Sequence, residues 1–121
     1  MKNEERNTLK KLEILSKKAD FKNIILFGKK IENEFIRLYF LRNNLQINRI
    51  AIVVSRKTGG GAVKRNKIKR RIREIYRKNK QVFGEFYDII FMPKGNLLKL
   101  TYSDTEKIIF KLVEHLKFSG E

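Results

Sequence analysis

The stretch GGGAVKRNKIKRRIREIYRKNK, residues 59 to 80, leaves this chain few ways to fold. At 100° per residue, Ile68, Ile72, Ile75 and Tyr76 fall on one face of a helix predicted over residues 65 to 80. Most of its other positions carry positive charge. Such a helix cannot be surrounded on all sides. It must lay its apolar stripe on a sheet and leave the rest to solvent or to a ligand. Arg65, Asn66, Lys69, Arg70, Arg73 and Arg77 gather along one flank of the stripe, with Lys67, Arg71 and Lys78 on the other.

Between residues 56 and 80 there are twelve Lys and Arg against one acid, Glu74. That segment holds most of a formal net charge of +16, which arises from 29 Lys and Arg and 13 Asp and Glu in 121 residues. Self-repulsion at this level opposes compaction and implies a strongly anionic partner. Nucleic acid is the first candidate and an acidic membrane surface the second. Guanidinium forks bind phosphate oxygens two at a time, and ammonium groups add point charge. The glycines ahead of the helix can present backbone N–H groups to an anion. Helix and charge alone leave a merely solvated surface equally open.

Other classes are easier to exclude. The chain has no cysteine, hence no disulfides and no thiolate metal site, which fits a reducing compartment. No apolar run reaches the length of a membrane span, and MKNEERNTLKKLEILSKK lacks the apolar core of a signal peptide. A cytoplasmic protein without membrane attachment is expected. GGGAVKRNK does not have the spacing of a nucleotide P-loop. The helices do not sit a short turn apart as helix-turn-helix requires, and no strand carries an RNA-recognition-motif aromatic signature.

The hydrophobic periodicity predicts the rest of the domain. SKKADFKNIILFG is a first helix, with Ser16 as its cap, Phe21, Ile24, Ile25 and Phe27 apolar, and Gly28 just past its end. A short strand is expected around KKIEN. EFIRLYFLR, residues 34 to 42, alternates as a strand: Ile36, Leu38 and Phe40 point one way, and Phe35, Arg37, Tyr39 and Leu41 the other. After the turn NNLQIN, RIAIVVSRK is β-branched and is expected to pair antiparallel with it. FYDIIFMP is a buried strand stopped by Pro93. The last helix is expected to open on a Ser103/Glu106 capping box, with Ile108, Ile109, Leu112, Val113 and Leu116 as its stripe. The fold class is α+β, an α-β-β-β-α-β-α sandwich on a small four-stranded sheet. Residues 1 to 13 form a charged N-terminal extension and residues 14 to 121 a single domain.

SRKTGGGAVKRNKIKRRIRE resembles the signature of the bacterial ribonuclease P protein subunit, whose pattern runs roughly S-[KR]-K-x-G-x-A-V-x-R-N-x-x-K-R-x-x-R-E. Ser55, Arg56, Lys57, Gly59, Ala62, Val63, Arg65, Asn66, Lys69, Arg70, Arg73 and Glu74 fill its places in order. ADFKNIILFGKK, RLYFL and YDIIFMPK extend the resemblance over roughly residues 14 to 117. The chain departs from the pattern in a glycine loop, Thr58 to Gly61, that is one residue longer. It also has Lys67 in place of an arginine and Ile25 in place of a second phenylalanine.

The resemblance implies a left-handed β-α-β crossover and a small basic subunit that joins a large catalytic RNA. That holoenzyme removes the 5′ leader of precursor tRNA, with Mg²⁺ held mainly by the RNA. It further implies that Arg56, Lys57, Lys64, Arg65, Asn66, Lys67, Lys69, Arg70 and Arg73 meet the catalytic RNA. Phe21, Ile25, Arg37 and Tyr39 would line a cleft for the single-stranded leader, as aromatic and cationic groups suit unpaired bases. Phe21 is equally compatible with a core position, whereas Tyr39 beside Arg37 favours the cleft. The protein alone is expected to be a monomer.

No catalytic residue is expected on the protein. His115 has no evident partner, and Asp20, Asp88 and Asp104 lack the paired spacing of a two-metal nuclease site. A structural RNA-binding protein and a sequence-specific DNA binder are the competing functions. The ordered motif favours the first reading, since basicity alone would not demand these offsets.

Overall fold

The structure is a computed structural model that describes residues 11–58, 60–84 and 86–120. Its elements follow in the order α1 (Lys18–Phe27), β1 (Lys29–Glu32), β2 (Ile36–Arg42), β3 (Arg49–Ile52), α2 (Gly61–Lys78), β4 (Tyr87–Pro93) and α3 (Tyr102–Gly120). This is the expected α-β-β-β-α-β-α order on a four-stranded sheet. Residues 1 to 10 of the N-terminal extension lie outside the described residues.

The sheet order is β1-β2-β4-β3, so the expected antiparallel β2–β3 pair does not form. β4 lies between them, antiparallel to β2 and parallel to β3, and α2 makes the β3-to-β4 crossover. The reason lies in residues 43 to 48. They do not close a hairpin but run over the start of β4. Asn43 Nδ2 donates to Asp88 Oδ1 at 2.8 Å. Asn48 Nδ2 donates to Gly84 O at 2.7 Å, and Asn48 Oδ1 accepts from Tyr87 N at 2.9 Å. Asn43 thus ties the segment after β2 to Asp88, and Asn48 satisfies backbone groups ahead of and at the start of β4.

Alternation along the strands divides the core in two. Ile36, Leu38, Phe40, Ile50, Ile89 and Phe91 face α2 and α3, where Ile68, Ile72, Ile75 and Tyr76 meet Ile109, Leu112, Val113 and Leu116. The stripe expected on α2 is thus fully buried. On the other face, Tyr39, Ala51 and Ile90 meet Leu15 and Ile24, with Phe21, Leu41 and Met92 alongside. Phe35 departs from its expected face. It precedes β2, in a turn where Asn33 Oδ1 accepts from Phe35 N and Ile36 N, and it packs on the larger core.

Helix ends differ from the sequence expectation in their caps. Lys17, not Ser16, occupies the start of α1, and no side chain caps it. Gly28 ends that helix, with its N–H on Ile24 O at 2.9 Å. A Cβ there would lie 2.5 Å from Ile24 O and 2.7 Å from Phe40 O, so helix and strand approach too closely for any other residue. Helix α2 begins at Gly61, four residues earlier than expected, after Gly60 with φ +75°. Thr101 Oγ1, rather than Ser103, caps α3 by accepting from Asp104 N at 3.0 Å.

One charged clasp joins α1 to the sheet. Arg49 donates to both oxygens of Asp88, at 2.9 and 2.7 Å, and to Asp20 Oδ2 at 3.4 Å. Asp88 is 5% exposed. The Asp88 bond is the leading cause that raises the Arg49 pKa.

Candidate nucleic-acid interface

Helix α2 presents its cations in two chemically distinct sets. Arg71 Nη1 donates to Leu100 O at 2.7 Å and to Thr105 Oγ1 at 3.0 Å, which ties α2 to the start of α3. Arg77 and Lys78 both pair with Glu74, at 2.7 and 3.8 Å. The Arg77 bond, before its charge and that of Lys78, holds the Glu74 carboxyl below its usual range. These three cations are engaged in holding the protein together.

The second set is different. Among the described residues, the side chains of Arg56, Lys57, Lys64, Arg65, Asn66, Lys67, Lys69, Arg70 and Arg73 make no ion pair and no hydrogen bond. Asn66, Lys67, Arg70 and Arg73 are exposed, while Lys64, Arg65 and Lys69 are half-buried along the helix. Arg56 and Lys57 are exposed in the short 3₁₀ turn Arg56–Thr58 before the glycines. Eight cations on one contiguous segment without an acid to neutralise them make a strong positive field.

This ridge runs into the cleft. A pocket of about 220 Å³ is lined by Lys69 and Arg73 from α2, Phe21 from α1, and Ile14, Leu15 and residues 50 to 53. A second, of about 380 Å³, is lined by Arg37, Ser55, Lys57, Thr58, Met92, Pro93, Lys94 and Gly95. Val53 borders both. The structure therefore joins two groups that the sequence analysis keeps apart: Phe21 with Lys69 and Arg73, and Arg37 with Lys57.

The four expected cleft residues occupy different depths. Phe21 is half-buried at the pocket wall and Ile25 is 45% exposed on α1. Arg37 is held by Glu32, its partner across the β1–β2 register. That bond is the leading cause raising the Arg37 pKa. Tyr39 is only 8% exposed and sits in the smaller core. It shares the strand face of Arg37 but lines neither pocket.

Lys94 and Met92 are cleft residues that the sequence analysis missed. Met92 pairs with Arg37 in register, so β4 alternation places it on the same face. Lys94 follows Pro93 directly, and its Nζ donates to Asn33 O at 2.8 Å. The acids do not assemble into a metal centre: among the described residues no group of three or more His, Asp or Glu is placed to hold an ion. Asp20 and Asp88 do converge, but on Arg49. No described helix is long and apolar enough to cross a membrane.

Cations arrayed for phosphates beside apolar recesses for bases define a nucleic-acid-binding α+β domain. The Ribonuclease P family model matches residues 9–117, and the chain belongs to the ribonuclease P protein family. A ribonuclease P protein component of Petrotoga mobilis is 45% identical over 118 residues, covering 93% of this chain and 98% of that protein. The solved RNase P protein from Thermotoga maritima superposes with a TM-score of 0.77 at 33% identity, covering 85% of this chain and 96% of that one. The Staphylococcus aureus RNase P protein gives 0.76 at 30% identity, covering 89% and 98%.

Proposed function

We propose that this chain is the protein subunit of a ribonucleoprotein endonuclease, ribonuclease P. It binds the catalytic RNA and the 5′ leader of precursor tRNA and assists removal of that leader. The observation that carries this reading is the unneutralised cationic ridge of α2 continuing into a cleft between α1 and the sheet. Arg56, Lys57, Lys64, Arg65, Asn66, Lys67, Lys69, Arg70 and Arg73 contact RNA phosphates. Phe21, Ile25, Arg37 and Tyr39 form the leader cleft, with Phe21 lining the smaller recess and Arg37 the larger.

The chemistry belongs to the RNA. The donor set on the protein does not fit a metal centre, because Asp20 and Asp88 are both engaged by Arg49 and Asp104 is exposed on α3. Mg²⁺ is accordingly assigned to the RNA subunit, and no step is assigned to a protein-bound ion. A charge of +16 disfavours self-association, which supports a monomer in the absence of RNA. The cysteine-free chain fits the cytoplasm, where precursor tRNA is made.

Phe21→Ala tests the cleft. Stacking of one base on an aromatic ring contributes about 1 to 3 kcal/mol, so the variant is expected to weaken precursor tRNA binding by about five- to a hundredfold. Mature tRNA, which has no leader, keeps its affinity. Paired titrations on the reconstituted holoenzyme measure both. Equal losses for the two RNAs would move Phe21 from the leader site to a purely structural role.

A further inference from the structure

Among the described residues, Glu32 is the one acid ion-paired with the cations of the larger pocket. It closes β1 directly opposite Arg37 in the strand register. One of its oxygens accepts from Arg37 Nε, and the other lies 3.7 Å from Lys94 Nζ. Arg37 and Lys94 both line that pocket, while Glu32 stands behind them and does not. The Arg37 bond, reinforced by the charges of Arg37, Lys94 and Lys30, keeps the Glu32 carboxyl below its usual range, so it is a full anion near neutral pH.

The strength of this contact decides its consequence. Side-chain exposures are 37% for Arg37, 35% for Glu32 and 38% for Lys94. Ion pairs so open to water contribute little to stability and exchange readily. A phosphate offers the same guanidinium a comparable or better bidentate acceptor. The carboxylate is therefore strong enough to occupy the two cations in the free protein and weak enough to be displaced. It also lowers the local potential that an arriving RNA strand meets.

We propose that Glu32 is an internal competitor for the leader phosphate, occupying Arg37 and Lys94 until RNA displaces it and so limiting affinity at this end of the cleft. The contact discriminates against weakly held anions, because any ligand must first replace the carboxylate. This rests on the leader-cleft reading above. Glu32 touches no RNA in this scheme; it acts through the two cations.

The test uses the reconstituted holoenzyme, with Glu32→Gln, Arg37→Ala and the double variant titrated against precursor and mature tRNA over a range of salt. Glu32→Gln is expected to bind precursor tRNA about three- to tenfold more tightly, with mature tRNA unchanged. Its salt slope for precursor tRNA should steepen by up to about 0.7, the increment of one single-strand phosphate contact. In the Arg37→Ala background the gain should shrink, since one of the two competed cations is gone. Thermal melting of each free protein verifies the fold. Unchanged or weaker precursor binding by folded Glu32→Gln, or an equal gain for both RNAs, would overturn the competitor role. Failure of the wild-type holoenzyme to prefer precursor over mature tRNA would instead overturn the leader-cleft reading.

Discussion

Replacing Arg65, Lys69, Arg70 and Arg73 together by alanine is expected to flatten the salt dependence of binding to the catalytic RNA by about 3 to 4 units. Each cation that neutralises a phosphate contributes about 0.7 to 0.9 to that slope. At 0.1 M salt each unit of slope corresponds to about tenfold in affinity, so the total loss is on the order of 10³-fold. None of the four has an ion-pair partner among the described residues, so their removal leaves no orphaned acid inside the protein. The apolar stripe that docks α2 is untouched, and circular dichroism should show the native fold. Substituting Arg71, Arg77 and Lys78 instead is the natural control. Those side chains bond to Leu100, Thr105 and Glu74, so the slope should change little while stability falls. An unchanged slope in the fourfold variant would remove the ridge from the RNA interface.

The second large effect separates stability from chemistry. Asp88→Asn removes the charge from a nearly buried carboxylate that accepts two bonds from Arg49 and one from Asn43. Breaking a charge-assisted network of this kind costs about 2 to 3 kcal/mol. For a domain of this size that lowers the melting temperature by roughly 10 °C, readable by calorimetry. Below that temperature, single-turnover cleavage by the reconstituted enzyme should remain within about threefold of wild type. A general acid, base or metal ligand would instead lose about 10² to 10⁴ in the cleavage step. Such a loss in a folded Asp88→Asn variant would place catalysis on the protein.

Periodicity made the element order legible, because each helix and strand buries one face and the residues of that face recur at a fixed interval. Ile68, Ile72, Ile75 and Tyr76 announced the docking face of α2, and Ile36, Leu38 and Phe40 that of β2. Strand neighbours were not legible. Whether β2 pairs with β3 or with β4 depends on Asn43 and Asn48 meeting residues some forty positions away, which no local pattern encodes. The cationic helix was legible as a surface, but a helical wheel cannot tell an Arg71 bonded to Leu100 and Thr105 from an Arg70 facing solvent. Tyr39 shares a strand face with Arg37, yet neighbouring Ile24 and Ile90 bury it. Glu32 acquires its meaning only from the hairpin that sets it against Arg37.

The most direct measurement adds the purified protein to a bacterial ribonuclease P RNA at low Mg²⁺ and follows cleavage of precursor tRNA at the leader junction. RNA repulsion limits the RNA alone under those conditions, and the cations of α2 should relieve it. The protein is predicted to restore cleavage at the mature 5′ end, with wild-type activity recovered at about one protein per RNA. No stimulation by a folded protein across the Mg²⁺ range, or cleavage by the protein without the RNA, would contradict its role as an accessory subunit of an RNA enzyme.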